Sequence, residues 1–251
     1  MKIPSVWFGL LALLLISPAK AADLEALVQW SQRTELATPV SGVVASVAVS
    51  AGERVTKDQV LLTLDAAPFR AAVQEAEALV ARRKLERDEA ARDAQQAQEL
   101  YDRTVLSTVE LENAKMKQAR AEADNKEARA ALDRARYRQR VSTLRAPFDA
   151  VVLRRHAEPG QVIATGLQPP VLLVIAAAGE YLAQARVSPA RVTGLKVGQA
   201  LSVVTGGNTY AARIRAIAHE PAASKEPYLL DAVFVATEPL HAGQSARIQL
   251  P

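Results

Sequence analysis

The chain has 251 residues, no cysteine, and 31 lysines and arginines against 27 acids. The missing cysteine excludes disulfides, thiolate metal sites and lipid attachment through an N-terminal cysteine. Removing Lys2 and Lys20 with the leader described next leaves 29 bases against 27 acids, a near-neutral balance that argues against general nucleic-acid binding.

Lys2, an apolar run from Val6 to Ile16, and Ala19-Lys20-Ala21 read as the charged, apolar and small-residue parts of a secretory signal over residues 1–21. The apolar run is shorter than the roughly 20 residues of a membrane span, so cleavage after Ala21 is expected, with an uncleaved anchor as the alternative. Residues 22–38 are expected to supply a strand, Leu24 to Trp30, to a barrel built mainly from the other end of the chain.

Residues 39–66 and 143–177 carry two copies of one strand-turn-strand pattern. Pro39-Val40-Ser41-Gly42-Val43-Val44 aligns with Pro147-Phe148-Asp149-Ala150-Val151-Val152, and Ala51-Gly52-Glu53-Arg54-Val55 then falls on Pro159-Gly160-Gln161-Val162-Ile163 without a gap. In each copy a glycine closes a turn between apolar strands. Neither copy can bury its apolar face alone, so the two are expected to form one β unit, and the chain between them must leave and return at nearly the same point.

Residues 67–142 answer that need with an antiparallel helical hairpin. Pro68 sits where a first helical turn tolerates proline, and neither proline nor glycine recurs before Pro147. One helix is expected from about Pro68 to about Arg103 and the other from about Thr108 to about Arg140, each about 50 Å long at about 1.5 Å per residue. Between them Ser107-Thr108-Val109-Glu110 reads as a capping box, with Leu106 and Leu111 placed for a hydrophobic staple. Apolar and small residues alternate by three and four: Phe69, Val73, Ala76, Val80, Ala90, Ala94, Ala97 and Tyr101 in the first helix, Leu111, Ala114, Ala121, Ala128, Leu132 and Ala135 in the second. Arg83, Arg87, Gln118 and Asn125 fall on the same seam and weaken it.

Residues 178–251 turn to short alternating strands: Leu182 to Val187, Ala200 to Val204, Tyr210 to Ala218, Leu229 to Val235, and Ser245 to Leu250. Lys196-Val197-Gly198-Gln199 and His241-Ala242-Gly243-Gln244 repeat one turn ahead of a strand, which suggests a small antiparallel barrel.

With both half-motifs, the hairpin and the barrel in this order, the chain resembles the periplasmic adaptor, or membrane fusion protein, family of tripartite efflux pumps and type I secretion systems. The resemblance covers nearly all of the chain after the leader. It is carried by Pro39-Val40-Ser41-Gly42-Val43-Val44, Gly52-Glu53-Arg54-Val55, Leu62-Thr63-Leu64-Asp65 and Leu144-Arg145-Ala146-Pro147-Phe148-Asp149-Ala150-Val151-Val152. It implies an elongated α+β protein: a split lipoyl-like β-domain interrupted by a long antiparallel α-helical hairpin, followed by a small antiparallel β-barrel. Ala150 stands where the family usually has glycine, which implies a tighter or shifted turn. Many members continue into a fourth, membrane-proximal domain, and this chain resembles a short form of the family lacking most of it.

The resemblance further implies a periplasmic homo-oligomer, a hexameric ring or trimer of dimers, that links an inner-membrane transporter of ABC or resistance-nodulation-division type to a TolC-type outer-membrane channel. Arg103, Leu106 and Ser107 resemble the arginine, leucine and serine with which such hairpin tips dock the channel, at compressed spacing. Capping and stapling already account for Ser107 and Leu106.

No cofactor and no catalysis are expected. His156, His219 and His241 are isolated, and Met1 and Met116 are the only methionines, so neither a ligand set nor a thioether cluster for copper is present. Asp65 and Asp149 stand at element boundaries, where turn bonding explains them. No phosphate loop or nucleophile elbow occurs. An acyl-carrier domain would need a lysine between Leu61 and Pro68, and there is none. A periplasmic holdase with helical arms is the alternative function, although such arms need apolar inner faces and these are alanine and charge.

Overall fold

The computed structural model describes residues 23–166, 168–218 and 228–250. The leader and His219 lie outside them. The described chain forms two compact units, one from Gln32 to Ala178 and one from both ends of the chain.

The first unit is a β-sandwich carrying the hairpin. One sheet has the order β2 (Arg33–Leu36), β9 (Leu173–Ala177), β7 (Ala150–Arg155), β4 (Arg54–Val55). The other runs β6 (Thr143–Arg145), β5 (Val60–Leu64), β3 (Gly42–Val47), β8 (Val162–Ile163). Each sheet mixes strands from both half-motifs, because β4 pairs with β7 and β3 with β8. The exchange is reciprocal. Gly52 N–H donates to Val152 O at 2.7 Å and Val152 N–H to Glu53 O at 2.9 Å, and the aligned residues repeat this, Gly160 N–H to Val44 O at 2.8 Å and Val44 N–H to Gln161 O at 2.9 Å. The two copies are thus halves of one pseudo-symmetric unit, as expected.

Its core falls into two clusters, one around Leu61, Val152, Leu173 and Ile175, the other around Val44, Leu62, Leu64, Ile163 and Leu172. Each of these large side chains, fully buried, contributes on the order of 1.5–3 kcal/mol. Ala150 is buried in β7 with its partners Val55 and Ala177 in regular register, and the only described non-glycine residues with positive φ are Asp58 and Thr104. Alanine is therefore accommodated there in ordinary strand geometry, without the shift the resemblance implied.

Residues 22–38 divide rather than joining the barrel as a whole. β1 (Leu24–Trp30) enters the barrel, but β2 pairs with β9 from Arg33↔Ala176 to Leu36↔Leu173 and gives the sandwich an edge strand. Otherwise β9, a nearly all-buried run, would expose its backbone along one edge.

The helices are α1 (Ala67–Asp102) and α2 (Thr108–Val141), 36 and 34 residues long. Their root is tied to the sandwich. Leu64 N–H donates to Ser142 O at 2.9 Å, Asp65 N–H to Val43 O at 2.8 Å, and the buried Thr38 hydroxyl to Val141 O at 3.2 Å. Asp65 Oδ1 accepts from Ala67 N–H at 3.0 Å, satisfying one free donor of the first turn.

The second unit is a closed antiparallel barrel of β1, β10 (Glu180–Val187), β13 (Tyr228–Val235), β12 (Asn208–Ala218), β11 (Ala200–Thr205) and β14 (Ser245–Gln249), in that order, with a short helix α3 (Pro189–Val192). β1 closes it by pairing with β10 on one side and β14 on the other. Phe234 lies between Tyr181 and Tyr210 with ring centroids 5.9 and 5.4 Å away, and the Tyr181 hydroxyl accepts from Leu240 N–H at 3.1 Å.

One turn recurs in both units. At Ser50–Glu53, Thr56–Gln59, Glu158–Gln161 and Lys196–Gln199 the fourth residue donates its N–H to the carbonyl of the first and accepts the first residue's N–H on its own side chain at 2.9–3.1 Å. The third residue is left-handed in every case: Gly52, Asp58, Gly160 and Gly198.

Candidate functional site at the hairpin tip

The connection between the helices is held by local chemistry. α1 ends as Thr104 turns to φ 61°, so that Thr104 N–H reaches Tyr101 O at 2.8 Å and Val105 N–H reaches Leu100 O at 3.0 Å. These bonds satisfy carbonyls left free by the last helical turn, with threonine where glycine is the common choice. α2 opens on the expected capping box. Ser107 Oγ accepts from Glu110 N–H at 3.3 Å, and Glu110 Oε2 accepts from Ser107 N–H at 3.0 Å and from the serine hydroxyl at 2.7 Å. The serine's side-chain and backbone hydrogen bonds hold the Glu110 carboxyl below the usual carboxylate range.

Arg103, Leu106 and Ser107 all lie in this turn, between α1 and α2, but they are not equivalent. Ser107 is exposed yet engaged as the cap. Leu106 is half-buried next to it, and Leu111, its expected staple partner, is buried. The exposed Arg103 guanidinium makes no ion pair or hydrogen bond with any described residue. Two further residues escaped the sequence reading: Val105 and Val109 are 71% and 70% exposed, with Tyr101 partly exposed behind them. Their signal was available, because neither valine belongs to the three-four seam, so nothing within the hairpin calls for an apolar side chain there. The tip therefore carries, on one capped turn, a five-donor fork unpaired among the described residues and two exposed valines.

Below the tip the exposed faces are charged. Lys117–Asp93 at 2.7 Å, Arg136–Glu77 at 2.9 Å and Arg83–Asp124 at 3.3 Å bridge the helices, and the Asp93 hydrogen bond raises the Lys117 ammonium above its ordinary pKa. Near the root a shallow groove is lined by Ala72, Ala76, Leu79, Ala131 and Ala135 between Glu75, Arg82, Arg134 and Arg138.

Elsewhere the residues weighed for chemistry do structural work. Asp149 Oδ1 accepts from Lys57 N–H at 2.7 Å, and Asp65 Oδ1 accepts from Ala67 N–H at the start of α1. His156 and His241 are exposed, and among the described residues no group of three or more acidic or histidine side chains gathers as a metal site. No described helix is long and apolar enough to cross a membrane.

Residues 32–168 match the family model described as CzcB-like, barrel-sandwich hybrid domain. Macrolide export protein MacA of Escherichia coli O157:H7 is 28% identical over 182 residues, 67% of this chain, and the chain spans about half, 49%, of that relative's length. The fold is shared with the membrane fusion protein Spr0693 of Streptococcus pneumoniae R6, at a TM-score of 0.70, 17% identity, and coverage of 92% of this chain and 98% of that one. A MacA-MexA chimeric protein containing the Pseudomonas aeruginosa MexA α-hairpin domain superposes with a TM-score of 0.67 and 20% identity, over 90% of this chain and 79% of its own.

Proposed function

Because the chain belongs to the CzcB-like barrel-sandwich hybrid domain family, we propose that it is a membrane fusion protein, a periplasmic adaptor coupling an inner-membrane transporter to a TolC-type outer-membrane channel, for efflux or secretion, without turning over a substrate itself. The observation that carries this reading is the tip. A turn fixed by its own caps leaves Arg103 unpaired and Val105 and Val109 exposed, which is what a surface needs if it is to meet the backbone carbonyls and apolar side chains of another protein. The similarity to a macrolide export protein supports export as the process. The transporter would be of ABC or resistance-nodulation-division type, and residues 1–21 would direct the chain to the periplasm and be cleaved. The alanine-lined groove between α1 and α2 supports side-by-side packing of hairpins in a homo-oligomer, a hexameric ring or trimer of dimers, since small residues allow helices to approach closely.

Docking is tested by copurification of the channel with the full-length adaptor. Arg103→Asp combined with Val105→Asp should lower recovery of the channel by about tenfold or more, the loss of about 1.4 kcal/mol or more expected of an interface anchor, with circular dichroism unchanged. Full recovery with that pair would remove the tip from the docking surface. Ser107→Ala separates capping from docking: it should cost about 1 kcal/mol of stability and leave recovery close to that of the parent.

A further inference from the structure

The hairpin is apolar at its two ends and polar in its middle. Near the root Ala76, Leu132 and Ala135 form a buried cluster with Val73 and Val80 against it, Ala128 is buried one turn further from the root on α2, and toward the tip Ala90, Ala94 and Leu111 are buried. Between Val80 and Ala90 no residue of α1 is buried, and the seam positions there are Arg83 and Arg87. Facing this stretch on α2 is Asn125, 2% exposed, whose Nδ2 has no hydrogen-bond partner. Little crosses between the helices to compensate. Arg87 pairs with Asp88 and Gln118 with Glu122, each within its own helix, and of the polar seam residues Arg83 alone has an ion pair across the hairpin, to Asp124 at 3.3 Å, while holding Glu86 of its own helix at 2.8 Å. A buried amide without a partner favours any fluctuation that lets water reach it.

The root is the opposite case. The Thr38 hydroxyl, the Leu64–Ser142 and Asp65–Val43 backbone bonds, and the packing of Phe69 on the sandwich core all resist movement there.

We infer that the arm has its joint midway along its length, at the seam layers of Arg83, Arg87 and Asn125, where the helices open and bend locally, while the root moves with the sandwich as one body. Local opening free energy follows buried apolar contact, so the layer that lacks it opens first. A joint at this position lets the tip adjust its angle without disturbing the sandwich.

Hydrogen–deuterium exchange of the full-length protein tests this directly. Amides in residues 82–89 and 119–126 should be protected about tenfold less than those of 73–80 and 129–136 on one side and 90–97 and 110–117 on the other. Asn125→Leu should raise the middle to the level of its flanks, whereas Thr38→Val should speed exchange at Leu64 and Ser142 alone. The inference is overturned if protection falls steadily from root to tip, if it is uniform along the arm, or if the root exchanges fastest. The parent profile decides this even if the leucine variant does not fold.

Discussion

Gly52 and Gly160 occupy the same place in the two half-motifs, with φ of 87° and 82°, and a Cβ built on either meets nothing within 4 Å. The penalty for alanine there is therefore one of backbone conformation alone: Gly160→Ala should lower unfolding stability by about 1–2 kcal/mol in urea titration. Gly42→Ala meets a different obstacle, since its Cβ would stand 3.1 Å from Leu64 Cδ1, which would have to give by a few tenths of an ångström. The glycine turns were legible in the sequence because they need both a left-handed residue and, next to it, a side-chain acceptor, Glu53 or Gln161. The turn at Thr56–Gln59 was not, because Asp58 with φ 64° looks like an aspartate in any loop. At the tip, Ser107 and Leu106 could be read from the capping box and its staple and Arg103 only from the family resemblance, whereas Val105 and Val109 were marked only by standing off the three-four seam, their exposure depending on the direction the chain takes at Thr104, a left-handed turn without a glycine to announce it. Glu110 gives the tip a pH response. Its folded pKa is depressed by Ser107, so its contribution is complete above the unfolded value and is lost as pH falls through the folded one. The Ser107 amide should thus lose exchange protection only in acid, below the ordinary carboxylate range, and in Glu110→Gln that acid-induced loss should vanish.

Helix boundaries in the hairpin fell within about a residue of expectation because a long proline- and glycine-free stretch, a seam alternating by three and four, and a capping box all point the same way. The depth of burial along the seam was less legible: Leu132 is buried and Tyr101 is exposed, although both hold seam positions. Leu132 packs with Ala76, Ala135, Val73 and Val80 within the body of both helices, whereas Tyr101 stands in the last turn of α1. Leu132→Ala should accordingly cost about 2–3 kcal/mol, read as a lower midpoint in denaturant titration followed by helical circular dichroism. Lys117→Ala should hardly move that midpoint in spite of the 2.7 Å contact with Asp93, because both side chains are largely in water. Strand membership was the harder problem. Leu24–Trp30 and Arg33–Leu36 are both strands, and a period of two tells which face of a strand is buried but not which sheet the strand joins.

Two units, each with its own core, make up the described chain, and the barrel takes strands from both of its ends. The number of strands was close to readable, but their order around the barrel was not, because it depends on pairings between distant segments. Val28, fully buried in the middle of β1, and the two ladders this strand makes show how much rests on it. A chain truncated before Gln32 should lose the barrel, seen as rapid proteolysis within residues 180–250, while the helical signal of the hairpin persists. The interleaved halves are also consistent with the hairpin as a folding device: formed from local contacts, it brings together segments such as Ser41 and Thr165, 124 positions apart and hydrogen-bonded at 2.9 Å. The pairing of Leu24 with Ile248 sets a different clock. On the ribosome β1 emerges first and its partner β14 roughly 200 residues later, an interval on the order of 10–40 s at about 5–20 residues per second. Until β10 follows it β1 has no partner, and until β14 follows it keeps one bare edge, so whatever shields Val28 during the wait bears on how much of the chain reaches the closed barrel.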